Sequence, residues 1–368
     1  MALSSLLLLL LPLSAAGACA TDEDCALLGT CVAATGACAC DAGWAGAACG
    51  QLRLQPAPAA GGYNVPNTSS WGGAPVLDSA TGVFHLYVAE FVGHCGLLSW
   101  HNNSRVVHAT ALAAAGPYAF VEEVVPFYSH NPSVAVAAGN GGSSGLILMH
   151  IGGGVWNGDV LQCANGSSQT NTSALPRPPQ PLPPAQGTLC AGGFSGPWRA
   201  CNWTGAASPG SFTNPTLWVQ RNGSMAVGGN SNYSLALAFG ASCSAFACRE
   251  WSPALPRTPP RTGEDPWVWQ DARDHWHALF HDMAPDLPAG RHAFSADGLA
   301  WTLTADLAYT GAVEFEDGSS VAFTKRERPH LLLDPATRAP LALFTGVMQH
   351  PEHVDDHSFT LAQAIARD

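Results

Sequence analysis

The chain has 368 residues, only 11% of them charged, with 27 acidic side chains against 15 basic ones and a formal net charge of −12. The basic residues are scattered rather than clustered, which excludes nucleic acid and anionic lipid surfaces as partners. Few charges together with 12 tryptophans and 39 glycines describe an all-β protein with close turns, whose surface suits a neutral, polar ligand.

Residues 1–18 form an apolar, leucine-rich leader that ends in Ala16-Gly17-Ala18, a small-x-small cleavage site, so they read as a signal peptide. Six cysteines follow at once: Cys19, Cys25, Cys31, Cys38, Cys40 and Cys49. A segment of about thirty residues cannot bury enough apolar surface to hold itself, so bridges must do so. A zinc site is the alternative, but no histidine lies near and a secreted context disfavours it. The spacing, with Cys38-x-Cys40 and Gly43-Trp44-x-Gly46 before Cys49, resembles an EGF-like module over residues 19–50. That resemblance implies the pairs Cys19–Cys31, Cys25–Cys38 and Cys40–Cys49.

Cys95, Cys163, Cys190, Cys201, Cys243 and Cys248 complete an even count, and their pairing is open. Sequons stand at Asn67, Asn102, Asn165, Asn171, Asn202, Asn222 and Asn232. They fit an extracellular, glycan-bearing surface. No further apolar run is long enough to span a bilayer, so the expected product is secreted, with the EGF-like module open to an extracellular protein partner.

After a linker at 51–62, the region 63–366 shows short strand-like runs bounded by Gly, Asn, Asp and Pro, with little helical periodicity. Five segments repeat a proline that opens a strand: Gly73-Ala74-Pro75-Val76, His130-Asn131-Pro132-Ser133, Thr213-Asn214-Pro215-Thr216, Glu264-Asp265-Pro266-Trp267 and Glu327-Arg328-Pro329-His330. Proline is tolerated at a strand's first residue, where no ladder bond is lost. Units of about sixty residues with several short strands fit propeller blades better than the strands of a sandwich. The expected fold is therefore a five-bladed β-propeller, with Ser358 to Ala362 completing a blade near the amino terminus and so closing the ring. Pro176 to Pro184 and Pro253 to Pro260 read as loops, since consecutive prolines cannot join a ladder.

In such a ring the pre-proline residues converge on one axis. That gathers Ala74, Asn131, Asn214, Asp265 and Arg328, with His130, Glu264 and Glu327 beside them. Two or three carboxylates at one apolar mouth is the arrangement that glycoside hydrolysis needs, one ionised and one held protonated. A purely structural reading has Asp265 and Glu327 capping strands or pairing with Arg328.

At these residues the chain resembles the five-bladed-propeller glycoside hydrolases of the arabinanase and β-xylosidase-like group (family 43-like). Glu327-Arg328-Pro329-His330-Leu331 is similar to the group's Glu-x-Pro-His-Leu segment, which implies Glu327 as general acid. Asp265-Pro266-Trp267-Val268 is similar to the segment whose aspartate orients that acid. Ser295-Ala296-Asp297-Gly298-Leu299-Ala300-Trp301 resembles a hairpin of sugar-processing propellers, and a plain turn with a packed tryptophan explains it equally. The expected substrate contacts are His130, Asn131, Asn214, Trp267, Arg328 and His330. The group's general base is an aspartate before the first blade's proline, where this chain has Ala74, so Glu264 is the carboxylate left to fill that role. No cofactor is required. His275 and His277 are expected on one strand face as ordinary strand histidines rather than metal ligands, and His330 stands where some relatives hydrate an axial calcium. The reading is a glycan-acting, glycosidase-like hydrolase. Its alternatives are a glycan-binding or adhesion protein that has lost its base, and a purely structural extracellular protein.

Overall fold

The computed structural model describes residues 18–66, 68–92, 95–138, 144–152, 186–200, 213–230, 235–240, 243–244, 247–248, 263–283, 289–351 and 357–367. The leader, both proline clusters, Cys163 and Cys201, and the sequons at Asn67, Asn165, Asn171, Asn202 and Asn232 lie outside them, as does the side chain of Asn102. Among the described residues, helix is confined to single turns such as Asp22–Cys25 and Trp100–Asn103. None is long and apolar enough to cross a membrane.

Residues 19–49 fold around the three bridges Cys19–Cys31, Cys25–Cys38 and Cys40–Cys49. The pairing is the one the EGF-like resemblance implies. Cys95 and Cys190 are also disulfide-bonded, and Cys243 faces Cys248 across a two-residue-per-strand hairpin.

The rest is a propeller of antiparallel sheets, three of four strands and two of three. In chain order the innermost strands are Ser69–Leu77, Ser129–Ala138, Thr213–Val219, Gly263–Gln270 and Lys325–Leu333. Each packs on its neighbours, and the last packs on the first, so the inner strands close a ring. Inner and second strands are covered on both faces by adjacent sheets. Trp276–Asp282 and Pro340–Met348 are accordingly buried at every residue rather than at alternate ones.

Ring closure differs from the sequence expectation. Ser358–Ala364 stays in the fifth sheet, next to Pro340–Met348, because a short connection brings it straight back antiparallel. It still ties the fifth sheet to the first, through Ser358 Oγ to Ser70 O at 3.0 Å and Thr360 Oγ1 to Gly72 O at 2.7 Å. The amino-terminal segment then runs antiparallel along its free edge, with Leu54 opposite Ile365 and Tyr63 opposite Thr360.

The small module docks on the fourth sheet. Trp44, 3% exposed, stacks on Trp269 with ring centroids 6.2 Å apart and lies 5.1 Å from His292. Arg273 Nη2 donates to Leu27 O at 2.5 Å and to the Asp41 carboxylate. Module and propeller thus share one apolar cluster, which contains Leu28, Trp44, Trp267, Trp269, Leu279 and Leu331.

Candidate functional site

Every innermost strand carries a β-bulge at the same depth. The ladder breaks between Trp71 and Ala74, between Thr213 and Thr216, between Glu264 and Trp267, and between Glu327 and His330, with the second sheet's break opposite His130 to Ser133. The first bulged residue always has positive φ: Gly72 at 61°, Asn131 at 49°, Asn214 at 54°, Asp265 at 56° and Arg328 at 58°. Gly, Asn and Asp reach this region at little cost, whereas Arg328 does so under strain. The bulge turns these side chains toward the axis.

This register corrects the first repeat. The bulged pair of the first sheet is Gly72-Gly73, so Ala74 is not the axial residue. Ala74 pairs with Tyr87 below the bulge, in the place that Thr216, Trp267 and His330 hold in their own sheets. The shift of two arises because glycine, and not a residue before proline, supplies the positive φ here. Gly72 is required for a second reason: a Cβ on it would overlap Cγ of Arg328 and lie 2.9 Å from its Cβ.

Arg328 fills the axis. It lies over Gly72 of the first sheet, and its Nη2 donates to Asn131 O of the second at 3.0 Å and, more weakly, to Pro215 O of the third at 3.4 Å. Nη1 is 3.7 Å from Asp265 Oδ1 of the fourth, and the Arg328 backbone N–H donates to Asp265 Oδ2 at 3.2 Å. One arginine side chain therefore touches all the other sheets, the first through its aliphatic stem and the rest through its guanidinium. Below it, a void of about 10 Å³ lined by Pro132, Pro215, Pro266, Pro329, Trp267 and His330 has room for about one water.

Above the plug, the mouth gathers the expected acids. Asp265, Glu327 and His281 bring one ligand atom each to within 4.8 Å of one another. His281 Nε2 is 3.8 Å from Glu327 Oε1, and Lys325 Nζ donates to that same oxygen at 3.2 Å. Glu264 sits one residue from Asp265, and its Oε1 accepts from Asn214 Nδ2 at 3.4 Å and Asn230 Nδ2 at 3.3 Å. Asn131 Nδ2 in turn donates to Asn214 Oδ1 at 2.7 Å. Burial, with Asp265 and Glu327 nearby, pushes the Glu264 carboxyl up to about 7, against an opposing pull from Lys325 and the Asn230 amide. His130 is 3% exposed, bonded to Ser104 Oγ at 2.8 Å and stacked on Trp100. Burial holds it neutral, well below the usual histidine range.

Of the expected site residues, Glu264, Asp265, Glu327, Asn131, Asn214 and Arg328 therefore share one region, Arg328 as the axial plug. Trp267 and His330 do not reach the mouth. They pack on each other with ring centroids 4.5 Å apart beneath the proline ring, where they line the void under Arg328. His275 stands just before its strand and His277 lies buried within it, hydrogen-bonded to His292 at 3.0 Å; both turn toward the Asp271 carboxylate, Nδ1 of His275 at 3.3 Å and Nε2 of His277 at 3.8 Å from Oδ2. Asp297 Oδ1 caps the Ser295–Trp301 hairpin through Leu299 N and Ala300 N, the plain-turn reading. Sequence reasoning missed Asn230 and Lys325, which enter only through the strand register. The same register sets His281 directly opposite Glu264.

The comparisons accord with this geometry. Residues 19–49 match the EGF-like domain family, whereas no curated protein matches the chain. Among solved structures, a family 117 glycoside hydrolase from Zobellia galactanivorans superposes with a TM-score of 0.52 at 11% identity, covering 87% of this chain and 91% of that one. A GH43_1 enzyme from Xanthomonas citri gives 0.52 at 11% identity, covering 85% and 91%. A protein of unknown function from Dyadobacter fermentans gives 0.50 at 10%, covering 86% and 99%. The likeness is one of fold. The propeller is built as in those glycoside hydrolases, and its chemistry must be argued from its own side chains.

Proposed function

We propose that this protein acts outside the cell on a glycan at the propeller mouth, as a glycosidase-like hydrolase in which Glu327 protonates the leaving oxygen and Asp265 orients it. The observation that carries the reading is the convergence of Glu264, Asp265 and Glu327 from adjacent inner strands onto one mouth, beside the Asn131, Asn214 and Asn230 amides that suit sugar hydroxyls. The fold shared with glycoside hydrolases supports it, one of which was solved with xylotriose. The apolar leader and the three bridges of the EGF-like module support an extracellular setting.

Asp265 and Glu327, within 4.8 Å of each other, are too close to serve as the acid and base of an inverting pair, which needs roughly 6.5–9.5 Å to admit a water. Among the bulge residues of the other sheets, Gly72, Asn131 and Asn214 cannot deprotonate water. The base therefore falls to Glu264. A second reading, glycan binding without turnover, is favoured by Arg328 lying on Gly72, where a carboxylate would otherwise face the axis.

Incubation with arabino-, xylo- and galacto-oligosaccharides separates the two. Sugar release that falls by about 10²–10⁴ in Glu327→Gln supports hydrolysis. Binding without release supports the second reading, and silence in both assays defeats the glycan proposal.

A further inference from the structure

We infer that Asp265, His281 and Glu327 form a binding site for a divalent cation of the zinc class. The three come from three different strands, the fourth sheet's inner and second strands and the fifth sheet's inner strand. Two carboxylates and one imidazole match the mixed oxygen and nitrogen donors that zinc prefers over calcium or magnesium. Their ligand atoms lie within 4.8 Å of one another. Around a zinc ion with bonds of about 2.0–2.2 Å they would stand about 3.4 Å apart, so the side chains must close by about an ångström. Glu327, with three rotatable side-chain bonds and the most exposed of the three, can supply much of that.

The independent observation is His281 itself. It is 9% exposed, yet its Nδ1 has no hydrogen-bond partner, and its Nε2 faces Glu327 Oε1 at 3.8 Å, beyond hydrogen-bond reach. A cation between Nε2 and the carboxylates would give that nitrogen the partner it lacks. Buried amide oxygens without partners, Asn230 Oδ1 and Asn131 Oδ1, belong to the same mouth. Lys325 now neutralises Glu327 from 3.2 Å and must withdraw when the ion enters. Arg328 keeps its place at the axis on the far side of Asp265.

The inference does not rest on the glycan reading, since a cation here can hold sugar hydroxyls with or without turnover.

The test needs no sugar. The whole protein, stripped with EDTA and dialysed, is titrated calorimetrically with ZnCl2, with CaCl2 and MgCl2 in parallel. The expected result is one zinc per chain, bound more tightly than calcium or magnesium. Affinity should fall by at least about tenfold in His281→Gln, stay unchanged in His350→Gln and rise in Lys325→Met. Circular dichroism checks that each variant folds. If His281→Gln does not, Glu327→Gln, at a partly exposed position, is read in its place. The absence of a one-site zinc isotherm in the wild type, or one that survives both ligand substitutions, overturns the assignment.

Discussion

Replacing Arg328 with alanine tests whether one guanidinium holds the ring together. The substitution removes the countercharge 3.7 Å from Asp265 and the donor to Asn131 O, leaving a carboxylate only 4% exposed without its partner. Removing one member of a buried ion pair costs about 3–5 kcal/mol. Relief of the strained left-handed backbone at residue 328 is no offset, since alanine at φ 58° is no better placed than arginine. Gly72→Ala supplies the other arm of a double-mutant cycle. Alone it adds a Cβ that overlaps the Arg328 side chain, costing about 1–3 kcal/mol for overpacking and roughly 1 kcal/mol more for a non-glycine residue at φ 61°. With Arg328→Ala the Cγ contact is gone and only the contact between Cβ atoms remains. The two changes should then be less costly together than their sum, by a coupling of about 0.5–3 kcal/mol. Urea unfolding of the four proteins, compared at constant m, measures this. A loss below about 1 kcal/mol for Arg328→Ala, or strict additivity in the cycle, would refute the bracing role.

Acidification should destabilise the first sheet. His85 and His108, hydrogen-bonded to each other at 2.8 Å, are both pushed down to about 4 by burial. Since the unfolded histidines titrate near 6.5, their contribution is complete above that pH and lost between 6.5 and about 4, by at most about 3 kcal/mol each. Midpoint denaturant concentrations that stay flat between pH 7 and 4.5 would contradict this, and His85→Phe should reduce the slope. Trp44→Ala should cost about 3–5 kcal/mol and loosen the module from the fourth sheet, seen as faster proteolysis within residues 51–62. Replacing Cys25 and Cys38 together opens a bridge of sequence separation 13 and should lower the module's stability by about 3 kcal/mol, measured by its thermal transition.

The sequence shows the recurring element of the fold, because a bulge residue before proline must be one that tolerates positive φ. Asn131, Asn214 and Asp265 signal it plainly. Arg328 fits by position though not by preference, and its conflict with local propensity marks the residue on which the axis closes. The first repeat is misread by two positions for the opposite reason. Gly72-Gly73 satisfies the backbone so easily that nothing distinguishes it from ordinary turn glycine, and Pro75 lies nearby as a decoy. The acids were legible as a group, since ring geometry converts similar positions on separate blades into neighbours. Their partners were not: Asn230, His281 and Lys325 reach the mouth through cross-strand register, which depends on where each bulge inserts its extra residue. Trp267 and His330 lie away from the mouth because a step of two residues past the bulge carries a side chain below Arg328, to the void under the plug.

The lacing of Leu54 to Tyr63 along Ser358–Ala364 means that residues made early wait on residues made much later. During synthesis the EGF-like module can form its bridges at once, but the fifth sheet cannot be laced to the first or to the amino-terminal segment until Ser358–Ala364 emerges from the ribosome, with those edges bare in the meantime. A chain without Ser358–Ala364 would keep most of its apolar core and its inner-strand contacts, yet lose the ties from the fifth sheet to Ser70 and Gly72.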